Sequence, residues 1–93
     1  MIIGVLTVDL DIPGAYSLKE KRMVLNRIRD RVRNKFNVSI AEVADQDIWN
    51  HGCLAVVTVS NQQQHCNRVL SKVLELIETL PDSDIEDVTM EFI

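Results

Sequence analysis

Two stretches of helical spacing, each framed by stretches of strict alternation, are what most limit the folds open to this chain. "GVLTVDLDI" puts Leu6, Val8 and Leu10 on one side and Val5, Thr7 and Asp9 on the other, the period-two pattern of a strand. Pro13 and Gly14 break it. Ser17, with Glu20 three residues later, has the form of a capping box and opens a helix over about 18–35. Leu18, Val24, Leu25, Ile28 and Val32 fall on one arc of that helix. "FNVSIAEVA" returns to alternation, "DQDIWNHG" is a polar loop or hairpin end, and "CLAVVTVS" is the near-continuous apolar run of a central strand. Ser60 with Gln63 has the form of a second capping box, followed at helical spacing by Cys66, Val69, Leu70, Val73, Leu74, Ile77 and Leu80 up to Pro81. The closing "DIEDVTMEFI" alternates once more, with Val88, Met90 and Phe92 facing one way.

The order strand, helix, strand, strand, helix, strand predicts an α+β fold of ferredoxin-like βαββαβ type, a four-stranded antiparallel sheet with both helices on one face. In this reading the first and third strands lie at its centre, parallel to each other. With 93 residues, 46% hydrophobic and 26% charged, the chain is expected to form a single domain over 1–93, short of the length needed for a second core. No apolar run reaches membrane-span length, and the N-terminal segment, which carries Asp9 and Asp11, has no basic leader of a signal peptide. Two cysteines, Cys53 and Cys66, are too few for a disulfide framework and fit a reducing compartment, so a cytoplasmic protein without membrane partners is expected.

The net charge of −4 conceals an asymmetry. Residues 18–35 carry eight basic side chains against two acids, while the rest of the chain carries two basic and twelve acidic ones. Cations near a helix start are unfavourable unless an anion is close, because the helix N-terminus is itself positive. Lys19, Lys21 and Arg22 with the free N–H groups of the first turn therefore form a candidate anion pocket. Arg22, Asn26, Arg29 and Arg33, spaced by four, three and four, extend it as a stripe able to hold successive phosphates. Two other readings stand beside this one: a merely solvated face, and a face complementary to the acids of the last strand (Asp82, Asp84, Glu86, Asp87, Glu91) within one chain or between copies.

His51, Cys53, His65 and Cys66 have zinc-binding atoms at spacings unlike a metal knuckle, and the cysteines are read as small core residues. Asp9, Asp11, Glu42, Asp45 and Asp47 are read as solvated strand and loop ends, with a hard cation as the alternative. No cofactor and no catalytic residue is assigned. The sheet face away from the helices, with Ile3, Val5, Thr7, Ala41 and Val43, is apolar and lacks base-stacking aromatics, which predicts a homo-oligomer interface. Trp49 is either an anchor of that interface or a lid on the core end.

"SLKEKR", "FNVSIAEV", "DIW" and "TVSN" together resemble the YlxP-like family of small bacterial proteins, over nearly the whole chain. The resemblance implies a ferredoxin-like fold, a cytoplasmic location and an association with translation. It supplies no catalytic residues. Members often carry His just before the Ser-Leu-Lys-Glu-Lys-Arg run, where this chain has Tyr16, so no role there depends on an imidazole. The leading expectation is a non-enzymatic RNA-binding accessory factor of the small ribosomal subunit, with Lys19, Lys21, Arg22, Arg29 and Arg33 on phosphates. A homo-oligomeric interaction module and a small-anion or nucleotide-binding enzyme are the alternatives.

Overall fold

Alternation in the first strand sets the inner layer. In the computed structural model, which describes residues 1–93, β1 (Ile2–Asp11) buries Leu6, Val8 and Leu10 completely while its other side stays half-buried. It is followed by α1 (Leu18–Lys35), β2 (Ser39–Ala44), β3 (His51–Ser60), α2 (Gln63–Thr79) and β4 (Asp84–Phe92). The strands lie in the order β2-β3-β1-β4, and every neighbouring pair is antiparallel.

That arrangement corrects the expected parallel pairing of the two central strands. α1 returns the chain across the sheet, so β2 starts in the direction of β1 but two places away. The hairpin then reverses β3 into the gap, and β3 meets β1 antiparallel from Ile2 opposite Ser60 to Asp11 opposite His51. β1 and β2 run one way and β3 and β4 the other, and the strands of each like-directed pair are separated by one of the opposite direction.

Both helices cover one face. α1 packs against β2 and β3, and α2 against β1, β3 and β4. Leu25, Ile28 and Val32 of α1 and Leu70, Val73 and Ile77 of α2 close over Leu6, Val8, Leu54 and Val56. Each such side chain contributes about 1.5–3 kcal/mol by leaving water, which makes this face the main source of stability. β4 contributes Val88 and Met90 as partly buried flanks of the same core.

The helix starts are unlike each other. Ser17 Oγ accepts the Glu20 N–H at 3.1 Å, as the motif requires, but the Glu20 carboxylate accepts from the Tyr16 N–H rather than from Ser17. The second expected box does not form. α2 begins at Gln63 with Gln62 as its cap residue and no side-chain cap, because Ser60 Oγ accepts the Gln62 N–H at 3.2 Å and is used in a turn before the helix. Asp45 and Asp82 take left-handed backbone at φ 61° and 73°, a conformation Asp tolerates better than most residues, each in the turn leading into a strand. No helix is long and apolar enough to cross a membrane.

α2 lies so close to β1 that position 4 has no room for a side chain. A Cβ on Gly4 would stand 2.9 Å from Leu70 Cδ1 and 3.1 Å from Cys66 Cβ, while Gly14 faces open space. Gly4→Ala is therefore expected to lower unfolding free energy by about 1–3 kcal/mol through overpacking. Gly14→Ala should stay within about 0.5 kcal/mol of wild type. Urea denaturation followed by far-UV circular dichroism checks both.

Candidate functional site

The first turn of α1 answers why it tolerates cations. Lys21 is fully buried. Its Nζ donates to the carbonyls of Asp45 at 2.7 Å and Ile48 at 2.6 Å, with a longer 3.4 Å contact to Gln46. Glu42 Oε2, from the helix-facing side of β2, lies 2.8 Å from the same nitrogen. The ammonium is thus spent inside the protein, and Lys21 is removed from the phosphate-binding set. The expected anion pocket goes with it: Glu20 brings a carboxylate to the helix start, and the Lys21 N–H is taken by the Ser17 carbonyl. The sequence did carry a signal. Residues 21, 24, 25, 28 and 32 share the buried arc, so Lys21 stands where an apolar side chain is expected.

The rest of the cationic set faces outward on the flank next to β2, the edge strand. Lys19, Arg22 and Arg33 are exposed and Arg29 is half-buried. Arg33 donates to the Ile40 carbonyl at 3.1 Å, so its guanidinium covers part of the free edge of β2. Arg29 leans on Asn26 Oδ1 at 3.4 Å, while its Nε is buried without a hydrogen-bond partner. Of the basic residues of α1, only Lys21 and Arg27 have an acid within 4.0 Å. The Arg27–Asp82 pair, 3.3 Å apart with both side chains more than half exposed, adds little to stability. Of the acids read with the last strand, Asp82, just before β4, meets α1 through Arg27; those within β4 lie at the opposite edge of the sheet and have no basic residue of α1 within 4.0 Å.

The three expected interface residues separate. Val5 and Val43 do lie on the sheet face away from the helices, where Val5 stands across from Val57 and Val43 is 51% exposed. Trp49 is instead in the loop between β2 and β3, 43% exposed, with its ring 5.9 Å from that of Tyr16. It does not close the core.

The metal-ligating residues regroup across the two sets read from the sequence. Asp9 and Asp45 come together with His51, their donor atoms all within 4.8 Å of one another. Glu42 is drawn away to Lys21, Asp11 faces Asp84 on β4, and Asp47 is exposed. His65 is exposed on α2, and Cys66 is buried with Sγ 3.8 Å from the Ile2 carbonyl, at the other end of β1. Cys53, also buried, pairs with Asp9 across the strands. Burial first, then a hydrogen bond to Asp9 and the charges of Asp9, Asp45 and Glu42, push its thiol up to about 11, so it is protonated at neutral pH.

These features define a ferredoxin-like α+β domain whose positive charge is concentrated on the outer side of one helix. The chain belongs to the family described as Protein of unknown function (DUF503), which matches residues 3–90. It is 42% identical over 81 residues to the Uncharacterized protein YlxP of Bacillus subtilis (strain 168), covering 87% of this chain and 88% of that one. Among solved structures it is similar to the de novo designed ferredoxin-fold protein LFR1 1, with a TM-score of 0.61 and 13% identity over 98% of this chain and 86% of that one. The de novo designed protein Foldit4 matches at a TM-score of 0.57 and 15% identity, covering 98% and 97%. These likenesses show the fold alone.

Lys21→Ala is expected to cost about 3–5 kcal/mol, as losses of one partner from a buried pair do. Lys19→Ala, on the outer face, should remain within about 0.5 kcal/mol. Lys21→Met combined with Glu42→Leu should recover only part of the loss, because the carbonyls of Asp45 and Ile48 still lack a donor. Chemical denaturation read at Trp49 measures all three.

Proposed function

We propose that the protein is a non-enzymatic RNA-associated accessory factor that holds phosphates of small-subunit ribosomal RNA along the outer flank of α1. The observation that carries this reading is the set of cations without an internal counter-charge. Lys19, Arg22, Arg29 and Arg33 have no acid within 4.0 Å in a chain with fourteen acidic residues. Lys19, Arg22 and Arg33 are solvated and need no acid partner, while Arg29 keeps a buried Nε without a hydrogen bond, and together they give an incoming polyanion a row of donors. Guanidinium groups suit phosphates because two N–H groups meet two oxygens. Contacts of this kind set position and leave base identity unread, so preference comes from RNA shape.

The test is binding of small-subunit ribosomal RNA fragments at several salt concentrations. Wild type is expected to bind with a steep fall of affinity with salt. Arg22→Gln/Arg29→Gln/Arg33→Gln should lower the slope of log K against log salt by about 2, three contacts at roughly 0.7 each on single-stranded RNA. Equal slopes in the two proteins would sink the reading.

A second reading concerns the open sheet face and is compatible with the first. Val5–Val57 and Ile3–Val59 stand as cross-strand pairs on it, and Val59 is 60% exposed. We propose that a second copy of the chain covers this face. Light scattering on the purified protein should give twice the chain mass, and Val57→Asp should give the monomer. A monomeric wild type at about 100 μM, well above the micromolar affinity a standard-size interface supports, would exclude it.

A further inference from the structure

His51 begins β3 on the sheet face away from the helices, and three carboxylates converge on its ring. Nε2 lies 3.3 Å from Asp45 Oδ2 and 3.7 Å from Asp9 Oδ1, and Nδ1 lies 3.3 Å from Glu86 Oε2. They come from three different places, the β2–β3 loop, β1 and β4, so the grouping exists only in the folded chain. A neutral imidazole has one N–H and one lone pair. If Nδ1 donates to Glu86, the Nε2 lone pair points toward two carboxylate oxygens. Acceptor then faces acceptor, and the arrangement is repulsive unless positive charge lies between them.

We propose that this is a site for a divalent transition-metal cation of the zinc class, held by His51 Nε2, Asp9 and Asp45. Zinc bonds to nitrogen and oxygen of about 2.0–2.2 Å in a tetrahedron place neighbouring donor atoms about 3.3 Å apart. Of the two separations from Nε2, one has that value and the other exceeds it by a few tenths of an ångström, and the Asp9 and Asp45 donor oxygens lie within 4.8 Å of each other, so side-chain rotation has to bring the three donors together. Glu86 occupies the place of the outer carboxylate that accepts from the far nitrogen of a metal-bound histidine, fixing its tautomer and raising its basicity. Asp45 is held from behind, since its carbonyl accepts from buried Lys21 at 2.7 Å. Cys53, only 7% exposed, walls the site beside Asp9. One imidazole and two carboxylates suit zinc, manganese or ferrous iron better than calcium, and they leave a fourth position open to water or an outside ligand. The competing occupant is a second proton on His51, which would donate to Asp45 and Glu86 together.

The experiment is titration of the chelator-treated full chain with zinc, by calorimetry and by nitrogen-15 spectra of the two histidine rings. One zinc per chain is expected, with the Nε2 resonance of His51 displaced and the His65 ring, exposed on α2, unchanged. His51→Gln and Asp45→Asn should each weaken binding by about 100-fold or more, and Glu86→Gln by about 10- to 100-fold. His65→Gln should bind like wild type. Circular dichroism confirms that each variant is folded, and the wild-type ring spectra decide the matter even where a variant is not. A His51 ring that keeps both protons and does not shift at millimolar zinc would overturn the proposal in favour of the proton. Binding that survives His51→Gln would overturn it as well. Neither result depends on whether RNA binds to α1.

Discussion

The ammonium of Lys21 ties together three parts of the chain that are far apart in sequence: the first turn of α1, the end of β2 and the loop between β2 and β3. Taking a charge out of water costs several kcal/mol, and here two short carbonyl hydrogen bonds and the Glu42 carboxylate offset that cost. The net gain over an apolar side chain is small by the same argument. What the arrangement supplies is position. Carbonyls at 45 and 48 can be satisfied by one donor only if the loop curves around it, so the loop takes one shape. The left-handed backbone of Asp45 belongs to that curve.

Two surface features hang from the loop so held. Trp49 is presented against Tyr16, and the carboxylate of Asp45 is presented to His51. Both are at the same end of the domain as the start of α1, so the beginning of the basic flank and the proposed cation site share a single structural support without sharing residues. The backbone fixed by Lys21 holds an exposed tryptophan and a carboxylate in place on a loop of six residues.

The edges of the sheet are protected by opposite means. Arg33 covers a carbonyl of β2, and the exposed face of β4 is lined with Asp84, Glu86, Asp87 and Glu91. Either device discourages a foreign strand from pairing. The outcome is a domain with a basic flank at one edge and an acidic strand at the other. The net charge of −4 describes neither, and long-range attraction of a polyanion depends on the local field.

Periodicity determined the six elements, the buried sides of β1 and α2 and the two-layer architecture, because alternation and helical spacing are local and need only the nearest residues to be read. The charge asymmetry and family membership were equally legible. The register of β3 against β1, the empty cap of α2, the inward turn of Lys21 and the meeting of Asp9, Asp45, Glu86 and His51 were decided by the tertiary structure. Each depends on which strand lies beside which, and on atoms from residues tens of positions apart competing for one partner. Lys21 marks the boundary between the two: its place on the buried arc is written in the spacing 21, 24, 25, 28, 32, but the carbonyls that make a lysine tolerable there exist only once the β2–β3 loop has closed over it.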